Sequence, residues 1–250
     1  MEINAESFWL QKAGCSAAEY EDAFYPEGVT RSSQQTFRFA VADGATDSSF
    51  SGIWARLLVK AFVDGPHEPE EIEQLLADAR PRWEQQVGQR QLPWYAEQKA
   101  QAGAFSSLLG LMIRETDAGR SEWQAIAVGD SCLVQVRNEK AIVKFPIEHS
   151  SHFDSMPFLL ATTSSFNSKV RENLAVARGD IQPDDAMYLM TDALACWFMA
   201  TDERGHAPWL ALRDLNTGDQ RESFAEMIDR LRTQHELRND DCTLMRIDIF

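Results

Sequence analysis

The stretch Phe37–Phe62, FRFAVADGATDSSFSGIWARLLVKAF, changes its hydrophobic period partway along. Phe37, Phe39 and Val41 alternate with Arg38, Ala40 and Ala42, the period of a β-strand with one buried face. From Ser51 onward, Ile53, Trp54, Leu57, Leu58, Ala61 and Phe62 recur on one side of a helix that Asp64-Gly65-Pro66 ends. Between the two periods stands Asp43-Gly44. Such a pair makes a turn, because glycine tolerates positive φ and the Asp side chain bonds nearby amides. It also aims a carboxylate and a bare carbonyl at a metal ion, and the stretch alone leaves both readings open.

Further along, a second helical stretch opens at Glu68-Pro69-Glu70-Glu71, with acid at the positive end of its dipole, and carries Ile72, Leu75, Leu76 and Ala79 inward. Four β-rich runs, 105–114, 123–128, 132–136 and 141–145, are separated by polar turns and predict an antiparallel meander. Ala186–Met190 reads as a strand followed by a helix from Asp192 or Ala193. Arg221–Thr233 is an amphipathic helix, and Met245, Ile247 and Ile249 alternate in a closing strand. Helices in sequential pairs, without strict β-α-β alternation, predict a layered α+β fold rather than a doubly wound parallel sheet. No repeat or linker divides the chain, so residues 1–250 read as one domain.

Composition narrows the function classes. Asp+Glu number 39 against 24 Lys+Arg, a formal charge of −15, which argues against a nucleic-acid binder that needs a basic stripe. Carboxylates also supply the hard oxygen ligands that Mg²⁺ and Mn²⁺ prefer. No basic leader with an apolar core opens the sequence, and the longest apolar run, Ala186–Ala200, contains Asp192 and is too short for a bilayer. No membrane partner is expected. Cys15, Cys132, Cys196 and Cys242 form no Cys-x-x-Cys pair, which predicts a reduced, cytoplasmic setting. His149 and His152 have no further His or Cys nearby, so no zinc site is expected.

Acidic residues recur at the ends of these strands: Glu21-Asp22 in YEDAF, Asp43 in VADG, Asp192 in YLMTDAL and Asp240-Asp241 in NDDCTLMRI. Asp130, in AIAVGDSCLV, lies between two of the meander strands. Singly, Asp192 reads as a helix N-cap, Asp130 and Asp240-Asp241 as turn formers, and Glu21-Asp22 as solvated charge. Converging, they would repel one another unless cations sat among them.

Taken in order, these motifs resemble the metal-dependent protein phosphatases of the 2C type, in their bacterial form, from about Glu21 to the C-terminus. The resemblance implies a four-layer α-β-β-α sandwich, two antiparallel sheets between helix pairs, with a metal centre at one edge. It implies that Asp43 bridges two Mg²⁺ or Mn²⁺ ions, that Gly44 offers its carbonyl to one, and that Asp192 and Asp240 complete the other. Glu21 and Asp22 match the acidic pair of the second ion, and Asp130 with Asp192 matches a weaker third site. The implied activity is hydrolysis of phosphoserine or phosphothreonine on a protein by metal-activated water. Asp43 and Asp192 then act through the metal, and a kinase or its target is the partner. No protein nucleophile is needed, and Cys242 is expected as a packed strand residue.

Three positions depart from the family's pattern. Ala45 stands where many members have a general-acid His. Ala17 stands where a phosphate-binding Arg is usual, with Lys12, Arg31 and Arg38 as possible substitutes. Ala193 replaces a glycine. The segment 150–179 falls where the family carries a variable flap, and Phe153, Met156, Phe158 and Leu159 suit either a substrate lid or a plug of the core. These departures leave a second reading open, a phosphatase-like module that binds a phosphoprotein or signalling partner without catalysis.

Overall fold

Both faces of the strand that ends at Asp43-Gly44 are buried, because this strand lies in the middle of a layered structure rather than at its surface. In the computed structural model, which describes residues 1–46, 48, 50–88, 103–116, 119–153, 156–215 and 220–250, the strand is β4 (Thr36–Ala42). Phe37, Phe39 and Val41 enter a core between two sheets, whereas Ala40 and Ala42 meet helices on the opposite face. Small residues on that face let α1 (Ser51–Asp64) lie close, and the neighbouring strand completes the seat. A Cβ on Gly110 would come within 2.5 Å of the Phe62 ring.

One sheet has five strands in the order β11 (Ala175–Ile181), β7 (Ser121–Val128), β6 (Leu108–Glu115), β4 and β2 (Ala23–Tyr25). The other has six: β3 (Gly28–Ser33), β1 (Glu2–Leu10), β13 (Cys242–Ile249), β12 (Ala186–Met190), β8 (Cys132–Arg137) and β9 (Lys140–Phe145). Neighbours in both sheets run antiparallel. α1 and α2 (Ile72–Gly88) cover the first sheet. α3 (Asp192–Glu203), α4 (Pro208–Arg213) and α5 (Gln220–Thr233) cover the second. The result is the expected α+β sandwich of helices, two antiparallel sheets and helices. A short pair, β5 (Phe105–Ser106) with β10 (Leu160–Ala161), lies apart from both sheets.

The single meander expected over 105–145 is in fact two hairpins in different sheets: β6 and β7 pair in one, β8 and β9 in the other. The chain crosses between sheets at Gly129-Asp130-Ser131. Gly129 has φ +100°, and a Cβ there would meet the Ser107 Cβ at 2.6 Å, so the crossing needs glycine twice over. α2 starts at Ile72, just after the acidic run expected to open it, and continues through Pro81. Among the described residues, no helix is long and apolar enough to cross a membrane.

Candidate metal centre

Asp43 leaves β4 at the edge of the sandwich, and three serine-to-backbone contacts fix its main chain. Its N–H donates to Ser107 Oγ (2.9 Å), and its carbonyl accepts from Ser107 N (2.8 Å) and Ser106 Oγ (2.8 Å). Ser107 Oγ also bonds Ser131 Oγ at 2.9 Å, joining the end of β4 to the crossing that carries Asp130. Asp192 comes from the facing sheet as the first residue of α3, where the helix dipole favours a carboxylate. It is not the N-cap. Thr191 takes that position and spends its hydroxyl elsewhere. Carboxylate oxygens of Asp43, Asp130 and Asp192 all lie within 4.8 Å of one another.

The second group of acids gathers around the start of α1. A Cβ on Gly44 would meet the Glu21 carbonyl at 2.7 Å and the Ser51 carbonyl carbon at 2.9 Å, so glycine lets three segments touch. Ser51 Oγ donates to Glu21 Oε1 at 2.6 Å. Asp22 is buried, with Oδ2 accepting from Thr191 Oγ1 (2.9 Å) and Thr243 Oγ1 (2.7 Å) while Oδ1 has no hydrogen-bond partner. Asp241 is a clamp: its two oxygens accept Lys12 N at 2.8 Å and Glu21 N at 2.7 Å. Asp241→Ala strands two backbone donors, and the expected loss is about 2–4 kcal/mol of unfolding free energy. Asp241→Asn keeps one acceptor and is expected to lose roughly half as much, a comparison that urea unfolding of both variants checks.

Packing these acids together disturbs their titration. Burial first, then the Asp130 and Asp240 charges, push Asp43 up to about 7, while the Arg238 charge pulls it back. Burial also drives Asp22 well above the carboxylate range, with Asp43 adding to it and Thr243 opposing. Glu21 rises through burial, opposed by its bond from Ser51. One guanidinium answers the excess charge: Arg238 ion-pairs with Asp192, and its Nε lies 3.9 Å from Asp240 Oδ2. Buried carboxylates with an unsatisfied oxygen, hard donors on several elements and a raised Asp43 suit a divalent cation.

The structure thus brings Asp43, Asp130 and Asp192 together, with Asp240 close enough to perturb Asp43 but outside that trio. Ala17 sits exposed in the 3₁₀ turn Ala17–Glu19. Of its possible substitutes, Arg38 is committed elsewhere: its Nη1 donates to the carbonyls of Phe62, Gly65 and His67, closing the end of α1. The Arg31 side chain lies outside the described residues. Lys12 Nζ reaches Thr46 Oγ1 at 3.3 Å beside the centre. Asp47 lies outside the described residues, whereas Ser48 Oγ donates to the Ala45 carbonyl, a turn contact. Cys242 is buried, its thiol pushed up to about 12 by burial. In the segment 150–179, Leu160 and Val170 join the helix-side core and Trp54 Nε1 donates to the Leu160 carbonyl. Phe153 and Phe158 pack at the edges of two cores, and Met156 is exposed, so the part around Leu160 and Val170 plugs the core while Met156 faces outward.

Arg238 and the Asp241 clamp escaped the sequence reading. Asp241 was legible only as half of an Asp-Asp turn. Arg238, two residues before Asp240, had proximity to a ligand candidate as its one signal.

The description "Protein phosphatase 2C" belongs to a family model that matches residues 17–241. No curated protein matches the chain. Among solved structures, the serine/threonine phosphatase PstP/Ppp of Mycobacterium tuberculosis superposes with a TM-score of 0.61 at 15% identity, covering 100% of this chain and 99% of that one. The PstP catalytic domain in complex with 2 manganese ions gives 0.58 at 15% identity, covering 99% of each chain. The PPM Ser-Thr phosphatase MsPP of Mycobacterium smegmatis, in complex with cacodylate, gives 0.53 at 14% identity, covering 98% of each. At such identities the likeness is one of fold, and the family match supplies the rest: the chain belongs to the protein phosphatase 2C family.

Proposed function

We propose that the chain is a bacterial, cytoplasmic phosphatase that hydrolyses phosphoserine or phosphothreonine on a protein with two Mn²⁺ or Mg²⁺ ions. The observation that carries this reading is the meeting of Asp43, Asp130 and Asp192 oxygens within 4.8 Å. Divalent cations there supply activated water and neutralise phosphoryl charge. Asp43 lies between the two groups of acids, so it is the residue suited to bridge. Asp192 and Asp240 serve one ion, Glu21, Asp22 and the Gly44 carbonyl the other, and Asp130 with Asp192 a weaker third. The PstP relative with 2 manganese ions supports the stoichiometry. A cavity of about 530 Å³, lined by Lys12, Tyr20, Glu21, Thr46, Phe50 and Arg56, opens beside Glu21 and suits the phosphorylated segment. The substrate is then the product of a serine/threonine kinase, and that kinase or its target is the partner.

The second reading, a phosphoprotein-binding module without turnover, draws on Ala17 and Ala45 and on the Arg238–Asp192 pair. Turnover of p-nitrophenyl phosphate and a phosphothreonine peptide, with Mn²⁺, with Mg²⁺ and with chelator, separates the two. Metal-dependent release of phosphate from both substrates is the expected result. Protein that binds Mn²⁺ but releases none from either is the binding module.

A further inference from the structure

Arg238 is about half exposed, yet its guanidinium pairs with Asp192, one of the three clustered carboxylates, and its Nε lies 3.9 Å from Asp240 Oδ2. The turn that follows it is anchored. Arg232 Nη2 donates to the Asp240 carbonyl (2.6 Å) and the Gln11 carbonyl (3.2 Å), and Asn239 bonds both the N–H and the carbonyl of Ala13. The turn therefore presents the Arg238 side chain to the centre from a fixed base. A divalent ion among these carboxylates takes over the role of counter-charge, and two cations at short range repel. The guanidinium then needs another anion within reach of the same carboxylates. A planar fork of N–H donors matches the oxygens of a phosphoryl group. Arg38 sits at the far end of α1, where its Nη1 is consumed by three carbonyls, and offers no such fork.

We propose that Arg238 is the phosphate-binding residue of this chain: it pairs with Asp192 and Asp240 in the metal-free protein and with the substrate's phosphoryl oxygens in the metal-loaded one. This rests on the phosphatase reading for its substrate, but phosphate binding tests it apart from turnover. The comparison uses wild type, Arg238→Ala and Arg238→Lys. Mn²⁺ is titrated into each metal-free protein by calorimetry, inorganic phosphate is then titrated into each Mn²⁺-loaded protein, and the KM and kcat for p-nitrophenyl phosphate are measured.

Arg238→Ala is expected to bind Mn²⁺ at least as tightly as wild type, having lost a competing cation. Its phosphate affinity is expected to fall about tenfold or more, the scale of one charge-assisted contact of about 1.5 kcal/mol, with KM rising in step. Arg238→Lys should recover part of the loss, because it restores the charge without the fork. Phosphate affinity and KM unchanged in Arg238→Ala overturn the proposal. So does a tenfold loss of Mn²⁺ affinity in that variant, which makes the arginine a support for the carboxylates. Wild type that binds phosphate, loses it in Arg238→Ala and yet turns over no substrate sinks the phosphatase reading while the Arg238 assignment stands.

Discussion

Asp43→Asn is expected to lower Mn²⁺-dependent turnover of p-nitrophenyl phosphate by more than about a hundredfold and, at the same time, to raise the melting temperature of the chelated protein. Replacing partners that merely orient metal ligands costs about 10–100-fold, and Asp43 is the carboxylate common to both groups of acids. The substitution spares the local fold, because residue 43 is held through its N–H and carbonyl by Ser106 and Ser107. What it removes is a charge that burial and its neighbours Asp130 and Asp240 all disfavour. A gain of about 1 kcal/mol in the metal-free state corresponds to about 2–4 °C for a chain of this size. The pair of readouts is demanding: a variant that loses activity by misfolding melts lower, and one that keeps turnover shows that Asp43 is not a metal ligand.

The order of elements was legible because their periods were. The alternation in β4, the helical spacing of α1 and the closing strand β13 each carry one apolar pattern on one element. What stayed hidden depends on pairing. β1 reads as a mixed polar run, EINAESFWL, and becomes a strand because β13 and β3 flank it on both sides. Likewise, nothing local separates β7–β8 from an ordinary hairpin, since the crossing is decided by which sheet each strand joins.

The same distinction runs through the site. Asp43, Asp130 and Asp192 stand out as acids at strand ends, and the fold brings those ends to one edge of the sandwich. Asp22 reads as solvated charge beside Glu21. It is in fact buried among hydroxyls of Thr191 and Thr243, residues 169 and 221 positions away, a contact no local pattern announces. Arg238 belongs to the same class: its partner Asp192 lies on another element, and the pairing comes from tertiary approach alone.

In chelator, stability is expected to fall as pH rises from 5 to 8, opposite to the usual acid lability of proteins whose carboxylates are paired. Asp43 and Asp22 are the groups responsible, since both hold their protons more tightly in the fold than the ordinary carboxylate value near 4. A raised folded value means that the native state binds more protons than the unfolded chain between about 4 and about 7, so the unfolding free energy declines across that window. The stabilisation is complete below the unfolded value and gone once pH has passed the folded one. Carboxylates shifted the other way, such as Asp180 and Glu203, contribute stability that disappears only as pH falls below the ordinary range, so they do not mask the trend. Saturating Mn²⁺ should reverse the slope, because a metal binds the deprotonated carboxylates and releases the protons they held. At a free concentration 100 times its dissociation constant, one ion adds about 2.7 kcal/mol. Urea unfolding at pH 5, 6, 7 and 8, with chelator and with Mn²⁺, reads both slopes. Asp43→Asn should flatten the chelated one, and chelated wild type whose stability holds or rises toward pH 8 would show that the buried acids are not the strained group inferred here.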